Sequence, residues 1–150
     1  MNVTDPISLV LKTKQYGVIS ITPDKTVYDA LSVMAQHEVG ALMVIDSGGR
    51  LVGMLSERDY ARKGVLKGHL ARQTKITAIM TSPVTYVGPE YTVDQCMNLM
   101  TEGHFRHLPV VDGEKVVGLV SIGDLVKWII TGQAQAIRDL HGYITGAYPS

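Results

Sequence analysis

Two short apolar runs, each ending at a serine, stand out in the pattern of hydrophobic and polar positions. Leu51-Val-Gly-Met-Leu-Ser-Glu-Arg-Asp59 is repeated as Val116-Val-Gly-Leu-Val-Ser-Ile-Gly-Asp124. Continuous Val- and Leu-rich runs of this length are typical of buried strands, and the residues after each serine are typical of a helix. The pattern therefore predicts, twice in one chain, a strand that delivers Ser and Asp to the start of a helix.

The similarity extends beyond these runs, so the chain is predicted to be a duplication. The residues around Thr26 align with those around Thr92 at an offset of 66, and the offset becomes 65 after a turn that is one residue shorter in the second copy. Length changes of this kind fall in turns when a structural unit is repeated. Each copy is predicted to read strand, helix, strand, strand, helix, in an α/β (α+β) fold with two-fold pseudosymmetry.

Local signals place the elements of the first copy. Residues 18–21 are predicted to form a short strand, and Thr26 to cap a helix with one apolar stripe. Residues 41–45 and 51–55 are predicted to form a hairpin closed by Asp46-Ser-Gly-Gly49. A further helix is expected from about Glu57.

The repeats divide the chain into five segments. We predict an N-terminal helical segment at 1–17, a first unit at 18–64, a linker at 65–83, a second unit at 84–130, and a C-terminal helix and tail at 131–150. In the last segment, Ala134, Ile137, Leu140 and Ile144 lie at helical spacing, after a break at Thr131-Gly132. Because this apolar stripe is outside both repeats, we expect a partner chain to cover it.

Composition and charge narrow the class of function. The 150 residues include 14 Lys+Arg and 14 Asp+Glu, a formal net charge of 0, which disfavours a nucleic-acid-binding surface. Apolar runs are shorter than the roughly 18 residues of a membrane helix, and the N-terminal sequence lacks the features of a signal peptide. The single Cys96 cannot form an internal disulfide. We expect a cytoplasmic protein that binds neither nucleic acid nor a membrane.

The Ser-x-x-Asp motif has two interpretations. Ser56 with Asp59, and Ser121 with Asp124, have the spacing of a capping box, in which a serine caps a helix and the acid bonds back three residues later. The same residues lie at a strand end, where sheets covered by helices usually hold ligands. Repetition of the pair after the same Val-Gly-apolar-apolar run favours a ligand site, and a cap alone stays an alternative.

At this point the chain resembles the cystathionine-beta-synthase (CBS) domain family, as the tandem pair called a Bateman module. The resemblance covers about residues 18–130. It rests on the strings Ser56-Glu-Arg-Asp-Tyr60, Ile79-Met-Thr81, Arg106-His-Leu-Pro-Val110 and Ser121-Ile-Gly-Asp-Leu125, which look like those of small stand-alone bacterial CBS-pair proteins. The resemblance implies a beta-alpha-beta-beta-alpha unit and two clefts between paired units, able to hold AMP, ADP, ATP, NAD(H) or S-adenosylmethionine.

The resemblance also implies roles for residues at these clefts. The acid that closes the motif holds the ribose hydroxyls, which corresponds to Asp59 and Asp124, with Ser56 and Ser121 near the ribose and phosphate. An ionised carboxylate can accept both hydrogens of a cis-diol in charge-assisted hydrogen bonds. Residues expected to line the base or the cleft are Val18, Ile19, Gly40, Ala41, Met80, Val84, Thr85, Leu108, Pro109 and Ile122. Apolar strand residues of this kind, taken singly, are more often core.

The candidates for binding phosphate are Arg58, Arg106, His107 and Lys14. Arg58 offers a planar fork of donors suited to phosphate, whereas its counterpart in the second copy is Gly123. The resemblance places Arg106 and His107 at the phosphate end of the second cleft, with Lys14 from the first unit. A surface ion pair for Arg106 and a structural role for His107 stay open. The two clefts are expected to differ chemically.

An enzyme is disfavoured. His104, His107, Ser121, Asp124 and Cys96 are the residue types of a nucleophile, a base and an orienting acid. However, the sequence lacks the motifs and spacings that hold such residues in hydrolases and metal sites. We therefore expect no catalytic residue, no metal and no catalytic cofactor.

The predicted function is a non-enzymatic regulatory module. It would bind AMP, ADP, ATP or NAD(H), sense energy or redox state as a homodimer, and signal to an unknown effector protein. The basic residues favour a ligand with phosphate over S-adenosylmethionine. The alternative is a structural dimerisation or protein-interaction module without a physiological nucleotide, which the polar residues at both strand ends disfavour.

Overall fold

The computed structural model describes residues 1–14 and 17–144, with side chains described as far as residue 142. In chain order its helices and strands are α1 Ile7–Lys12, β1 Ser20–Ile21, α2 Val27–His37, β2 Ala41–Ile45, β3 Leu51–Ser56, α3 Glu57–Asp59, α4 Val93–Gly103, β4 His107–Asp112, β5 Lys115–Ser121 and α5 Ile122–Ile144. A π-helical turn at Tyr60–Gly64 and 3₁₀ turns at Val65–Lys67, Ala71–Gln73 and Ile76–Ala78 join α3 to the second repeat. This order of helices and strands confirms the predicted α+β class.

The chain groups into two compact units. The terminal unit contains Met1–Lys14, Pro89–Leu108 and Val120–Ser150, and the central unit contains Gln15–Gly88 and Pro109–Leu119. The β4 and β5 strands contribute residues to both units.

Helices α2 and α4 are equivalent elements of the two repeats. Each begins with a complete capping box, in which the side chain of Thr26 or Thr92 accepts a hydrogen bond from the backbone N–H three residues later. Each is followed by a non-glycine residue in the left-handed conformation, Glu38 with φ of 55° and His104 with φ of 57°. The same start and the same end, 66 residues apart, agree with the predicted duplication.

Strand β2 is the middle strand of the sheet in the central unit. It pairs in parallel with β1 and antiparallel with β3. Leu42 and Val44 belong to one buried cluster, together with residues of α2, while Ala41 and Met43 belong to another. Burial on both faces explains why this strand is a continuous apolar run rather than an alternating one.

Two predicted strands are shorter than expected. Strand β1 contains only Ser20–Ile21 of the predicted residues 18–21. Where the pattern predicts the first strand of the second repeat, Val87 forms an isolated parallel bridge with Val110. Pro83 and Pro89 flank this stretch and lack the N–H groups that a longer ladder requires. The strand-first order therefore holds as a two-residue strand in the first repeat and as a single parallel bridge in the second.

In the terminal unit, helices pack around a separate set of buried side chains. Helix α1 lies against the start of α4, because Ile7 N–H donates to the carbonyl of Tyr91 (2.6 Å) and Val93 N–H donates to the carbonyl of Asp5 (3.0 Å). The buried side chains of this unit include Ile7, Val10, Val93, Cys96, Met100, Leu108, Val120 and Leu125. Their spacing within α4 is that of the apolar stripe in α2.

Helix α5 runs without interruption from Ile122 to Ile144, so the predicted break at Thr131-Gly132 is wrong. The N-terminal residues cover this part of the helix. Trp128 donates its indole N–H to the backbone oxygen of Asn2 (3.3 Å) and to the Asp5 carboxylate (3.1 Å). The packing of the N-terminal residues against α5 stabilises the helix at Gly132, where a glycine without this contact would weaken it.

A second face of α5 carries exposed apolar side chains. They are Val126, Ile130, Ile137 and Leu140, with exposed fractions of 41%, 58%, 67% and 61%. Their burial against a partner chain stays a prediction, and the side chain of Ile144 lies outside the described residues. Among residues 1–14 and 17–144, no helix combines the length and apolar character needed to cross a bilayer.

Gly132→Ala is expected to lower the stability of the protein, although alanine normally stabilises a helix interior by about 1 kcal/mol relative to glycine. A Cβ at this position would overlap the backbone carbonyl of Met1, so the N-terminal residues would have to move away. Urea denaturation measures the change. Gly123→Ala in the same helix is the control, because its Cβ would make an ordinary contact of 3.6 Å with Ser121 Oγ. A stability gain in Gly132→Ala would contradict the packing described.

Candidate functional site

In both repeats a strand runs directly into a helix at the Ser-x-x-Asp motif. Strand β3 ends at Ser56 and β5 ends at Ser121, and a helix follows each. The first N–H group of each helix donates to a carbonyl next to the neighbouring strand, that of Gly40 in the first repeat (3.0 Å) and that of Arg106 in the second (2.9 Å). These bonds fix each motif beside the residues that lead into β2 or β4.

Both motifs form a capping box. Asp59 N–H donates to Ser56 Oγ, and Ser56 N–H donates to Asp59 Oδ2, each at 3.0 Å. The corresponding distances for Ser121 and Asp124 are 3.1 and 2.8 Å. The cap interpretation is therefore correct for both motifs. Because a carboxylate has about four acceptor positions, this cap leaves acceptor capacity for a further partner.

The Asp124 carboxylate also forms an ion pair. Lys14 Nζ lies 2.9 Å from Asp124 Oδ2, and the two side chains are 25% and 26% exposed. Burial raises the pKa of the Asp124 carboxyl, but hydrogen bonds from Lys14 and from the Ser121 backbone and hydroxyl, with the charge of Lys14, hold this pKa below its usual value. Asp124 is therefore an ionised acceptor at neutral pH.

His107 is the first residue of β4, and the charges of both members of this ion pair act on its imidazole. Burial lowers the pKa of its imidazole, the positive charges of Lys14 and Arg106 lower it further, and Asp124 opposes them. The ring is therefore mainly neutral at pH 7, and can donate from one nitrogen and accept at the other. The structure thus joins Lys14, Ser121 and Asp124 by hydrogen bonds, and His107 lies within reach of the charges of Lys14 and Asp124.

The Asp59 carboxylate has a different set of neighbours. Ser56 Oγ donates to Asp59 Oδ2 at 3.1 Å. On the other oxygen, Lys63 Nζ and Thr81 Oγ1 each lie 3.5 Å from Asp59 Oδ1, and Lys63 Nζ lies 3.4 Å from Thr81 Oγ1. Thr81 is held there by a two-way backbone bridge to Met54, with N–O distances of 3.0 and 2.8 Å. Ammonium, hydroxyl and carboxylate groups converge at the end of β3.

The arginines predicted to bind phosphate are accessible. The side chains of Arg58, on α3, and of Arg106, before β4, are exposed, and the charge of Arg106 acts on His107. Arg58 precedes the capped Asp59 in the chain, and the backbone carbonyl of Arg106 accepts the Ile122 N–H in the first turn of α5. Their roles stay predictions.

The residues predicted to line the base or cleft fall into three groups. Ala41 and Leu108 are 2% and 0% exposed and Pro109 is also buried, so these three form core. Ile19 and Met80 are partly buried against the cluster around Leu42, and Val84 is partly buried against the cluster around Met43. The remaining positions, Val18, Gly40, Thr85 and Ile122, are exposed or partly exposed.

A cavity of about 340 Å³ lies at the end of α2 in the central unit, lined by Leu31, Met34, Ala35, Glu38, Val39, Gly40 and Glu57. Its charged groups are the carboxylates of Glu38 and Glu57. These would repel a phosphate. The cavity is therefore chemically unlike the clusters at Asp59 and Asp124.

A family model for the CBS domain matches residues 13–65 and 76–131. The chain belongs to the CBS-domain family. The two matched stretches make it a tandem CBS pair, as the resemblance implies. It is 41% identical over 150 residues to the mitochondrial CBS domain-containing protein CBSX3 of Arabidopsis thaliana, covering 95% of this chain and 73% of that protein. It is 34% identical over 119 residues to the CBS domain-containing protein YhcV of Bacillus subtilis, covering 79% and 84%.

Solved CBS-pair structures share the fold. A Burkholderia ambifaria protein with CBS domains is 45% identical, covers 85% of this chain and 96% of its own, and superposes with a TM-score of 0.81. The CBS domain pair of protein MJ0100, solved in complex with 5′-methylthioadenosine and S-adenosyl-L-methionine, is 25% identical, with coverage of 83% and 96% and a TM-score of 0.72. A CBS pair with this fold therefore binds adenosine compounds.

The residue types of this CBS pair also suggest metal binding and thiol chemistry. In the part of the chain that the structure describes, no group of three or more His, Cys, Asp or Glu side chains is placed to hold a metal ion. Burial raises the pKa of the Cys96 thiol to about 11, and the negative charge of Asp94 adds to this. The thiol is therefore protonated at neutral pH and is a poor nucleophile.

Sequence reasoning missed Lys63 and Thr81 as neighbours of Asp59. Lys63 follows Asp59 by four residues, the spacing of an ion pair on a helix surface, so this signal was present in the sequence. Thr81 belongs to the Ile79-Met-Thr81 string but carries no local sign of its contact, which depends on the backbone bridge to Met54.

Proposed function

We propose that this CBS pair is a non-enzymatic regulatory module that binds adenosine ligands, namely AMP, ADP, ATP or NAD(H), at Asp59 and Asp124. The observation that carries the proposal is the ionised Asp124 in the first turn of α5, with Lys14 at 2.9 Å and with His107 within reach of its charge. A carboxylate suits a ribose diol, and an ammonium and an imidazole suit a phosphate. The adenosine ligands of the MJ0100 pair support the ligand class.

Binding would signal energy or redox state to a partner protein in the cytoplasm. A ligand changes the arrangement of a protein only through its difference in affinity for two states, typically ~1–3 kcal/mol between coupled sites. We propose a homodimer as the signalling form, with the exposed apolar residues of α5 as part of its contact. The same apolar residues favour the second candidate, an interaction module for which nucleotide is incidental.

A thermal-shift titration separates these candidates. Purified protein is titrated with AMP, ADP, ATP, NAD, NADH and S-adenosylmethionine beside the double variant Asp59→Ala, Asp124→Ala. A ligand at 100 times its dissociation constant adds ~2.7 kcal/mol to the free energy of unfolding, which raises the midpoint by several degrees. We expect a shift that disappears in the double variant. A well-folded wild-type protein that shifts with none of the six would overturn the proposal and favour the interaction module.

A further inference from the structure

We propose that the loop at residues 65–70 is the surface through which this CBS pair contacts its effector protein, and that the effector presents aliphatic side chains flanked by Asp or Glu. This inference deepens the proposed function, which names an effector without saying what binds it. The 65–70 loop lies within the central unit, directly after the π-helical turn at Tyr60–Gly64. It shares no residue with the proposed adenosine sites.

The 65–70 loop exposes aliphatic side chains that a plain connection does not need. Val65, Leu66 and Leu70 are 53%, 79% and 62% exposed, and every residue between them is exposed as well. Single exposed apolar side chains are common on protein surfaces, whereas several close together mark an interaction site. A partner that covers these side chains would remove their apolar surface from water, which favours association.

Hydrogen bonds fix the backbone of the 65–70 loop. Gly68 N–H donates to the carbonyl of Val65 (3.0 Å), and the hydroxyl of the buried Thr74 donates to the carbonyl of Leu70 (2.7 Å). Gly68 has φ of 77°, a left-handed conformation that glycine adopts without strain. The aliphatic side chains are therefore presented on an ordered backbone, which lowers the entropy cost of binding a partner.

The stretch of chain around the loop is basic. Residues 60–89 include five Lys+Arg and no Asp or Glu, whereas the whole chain has 14 of each class. Arg62 precedes the aliphatic cluster and Lys67 lies within it, and both side chains are exposed. Among the residues that the structure describes, neither of these two forms an ion pair. An acidic partner would supply the complementary charge, which steers association and favours the correct partner.

Other occupants fit this loop less well. A second copy in a two-fold contact would place the same basic loop against itself, where like charges repel. Residues 65–70 contain no Trp, Tyr or Phe, the side chains that anchor proteins at a membrane interface and stack on the bases of single-stranded nucleic acid. Aliphatic contacts with flanking positive charge are instead suited to an acidic protein segment.

The test begins with selection of peptides from a random display library on the purified full chain. We expect the selected peptides to carry Leu, Ile or Val flanked by Asp or Glu, and their binding to weaken as salt is added, because salt screens exposed charges. One selected peptide is then labelled, and fluorescence anisotropy measures its affinity for the wild-type protein and for variants. Vesicles containing phosphatidylserine and duplex DNA are tested as alternative ligands.

One pair of variants tests the aliphatic contact. Leu66→Ala, Leu70→Ala removes the two more exposed leucines of the loop. The matched control is Ile137→Ala, Leu140→Ala on α5, where the two side chains are 67% and 61% exposed. We expect the loop variant to bind the peptide at least about tenfold more weakly, as for loss of a central interface residue, and the control to bind it like the wild type.

A second pair tests the charge. Arg62→Glu, Lys67→Glu reverses two charges at the loop, and Lys115→Glu, Lys127→Glu makes the same change at exposed positions on β5 and α5. Again we expect at least about a tenfold loss of affinity for the loop variant only. An unchanged thermal midpoint without ligand shows that each variant is folded.

The outcomes separate this inference from the proposed function. Selection of no acidic peptide, peptide binding that both loop variants keep, or binding of only vesicles or DNA would overturn the inference. So would loss of peptide binding in the α5 control alone. None of these results affects the nucleotide thermal shift of the wild-type protein, which tests the adenosine sites independently.

Discussion

Replacing Asp124 with alanine is expected to lower both the stability of the protein and its affinity for an adenosine ligand, whereas asparagine should lower the affinity with a smaller loss of stability. The reason is that Asp124 has a structural role and a proposed binding role. Its Oδ2 accepts the Ser121 N–H at 2.8 Å and pairs with Lys14. Asparagine keeps an oxygen that can accept the N–H bond but has no charge for the ribose diol or for Lys14.

The magnitudes separate the two roles. Loss of a helix cap costs about 0.5–2 kcal/mol, which urea denaturation of Asp124→Ala would measure. Loss of a charge-assisted bond costs about 10- to 100-fold in affinity, which titration of both variants with AMP would measure. If Asp124 only capped the helix and did not bind the ligand, Asp124→Asn would leave the affinity for AMP unchanged. That result would contradict the proposed site.

The chain offers its own control for the cap. In the second repeat Gln95 takes the acidic position of the capping box of α4, where its side-chain oxygen accepts the Thr92 N–H at 3.0 Å. Gln95→Ala should therefore lower stability by a similar amount and leave ligand affinity unchanged. Equal losses of affinity in Gln95→Ala and Asp124→Ala would mean that the affinity falls because the protein is destabilised, and not because a ligand contact is lost.

Leu42→Ala is expected to destabilise the protein by about 2–5 kcal/mol, the range for removing a large side chain from a packed core. Leu42 is 0% exposed and lies in β2, which is paired on both sides. Neighbouring strands hold the backbone in place, so the cavity cannot easily collapse. The change is measured as a lower urea midpoint at an unchanged slope.

Leu66→Ala is the matched control for the core variant. Leu66 is 79% exposed in a 3₁₀ turn, and substitutions at such positions usually change the free energy of unfolding by less than about 0.5 kcal/mol. A loss for Leu42→Ala no larger than that for Leu66→Ala would contradict the placement of β2 in the core.

The sequence predicted those elements whose signals are local. The helix after Thr26 and the hairpin around Asp46 were predicted because capping residues, turn residues and apolar spacing all lie within a few positions. The repeat then extended these predictions to the second half. The first strand of the second repeat is reduced to the Val87–Val110 bridge, because strand length depends on pairing with a distant partner. The predicted break at Gly132 was wrong because the N-terminal residues pack on that part of α5.

The residues of the candidate site could be predicted where a local motif contains them, but their distant partners could not. Ser56, Asp59, Ser121 and Asp124 were found from the repeated motif, and the structure shows that all four form helix caps. The pairing of Lys14 with Asp124 joins residues 110 positions apart, so spacing could not reveal it and only the family resemblance suggested it. The roles of these residues in binding stay predictions.

The central claim is that the carboxylate of the Ser-x-x-Asp motif binds ribose. The most direct test is a crystal structure of the protein grown with the nucleotide that gives the largest thermal shift. We predict that the 2′ and 3′ hydroxyl groups of the ribose lie within about 3.2 Å of a carboxylate oxygen of Asp59 or Asp124. A nucleotide bound with its ribose away from both aspartates would contradict the claim.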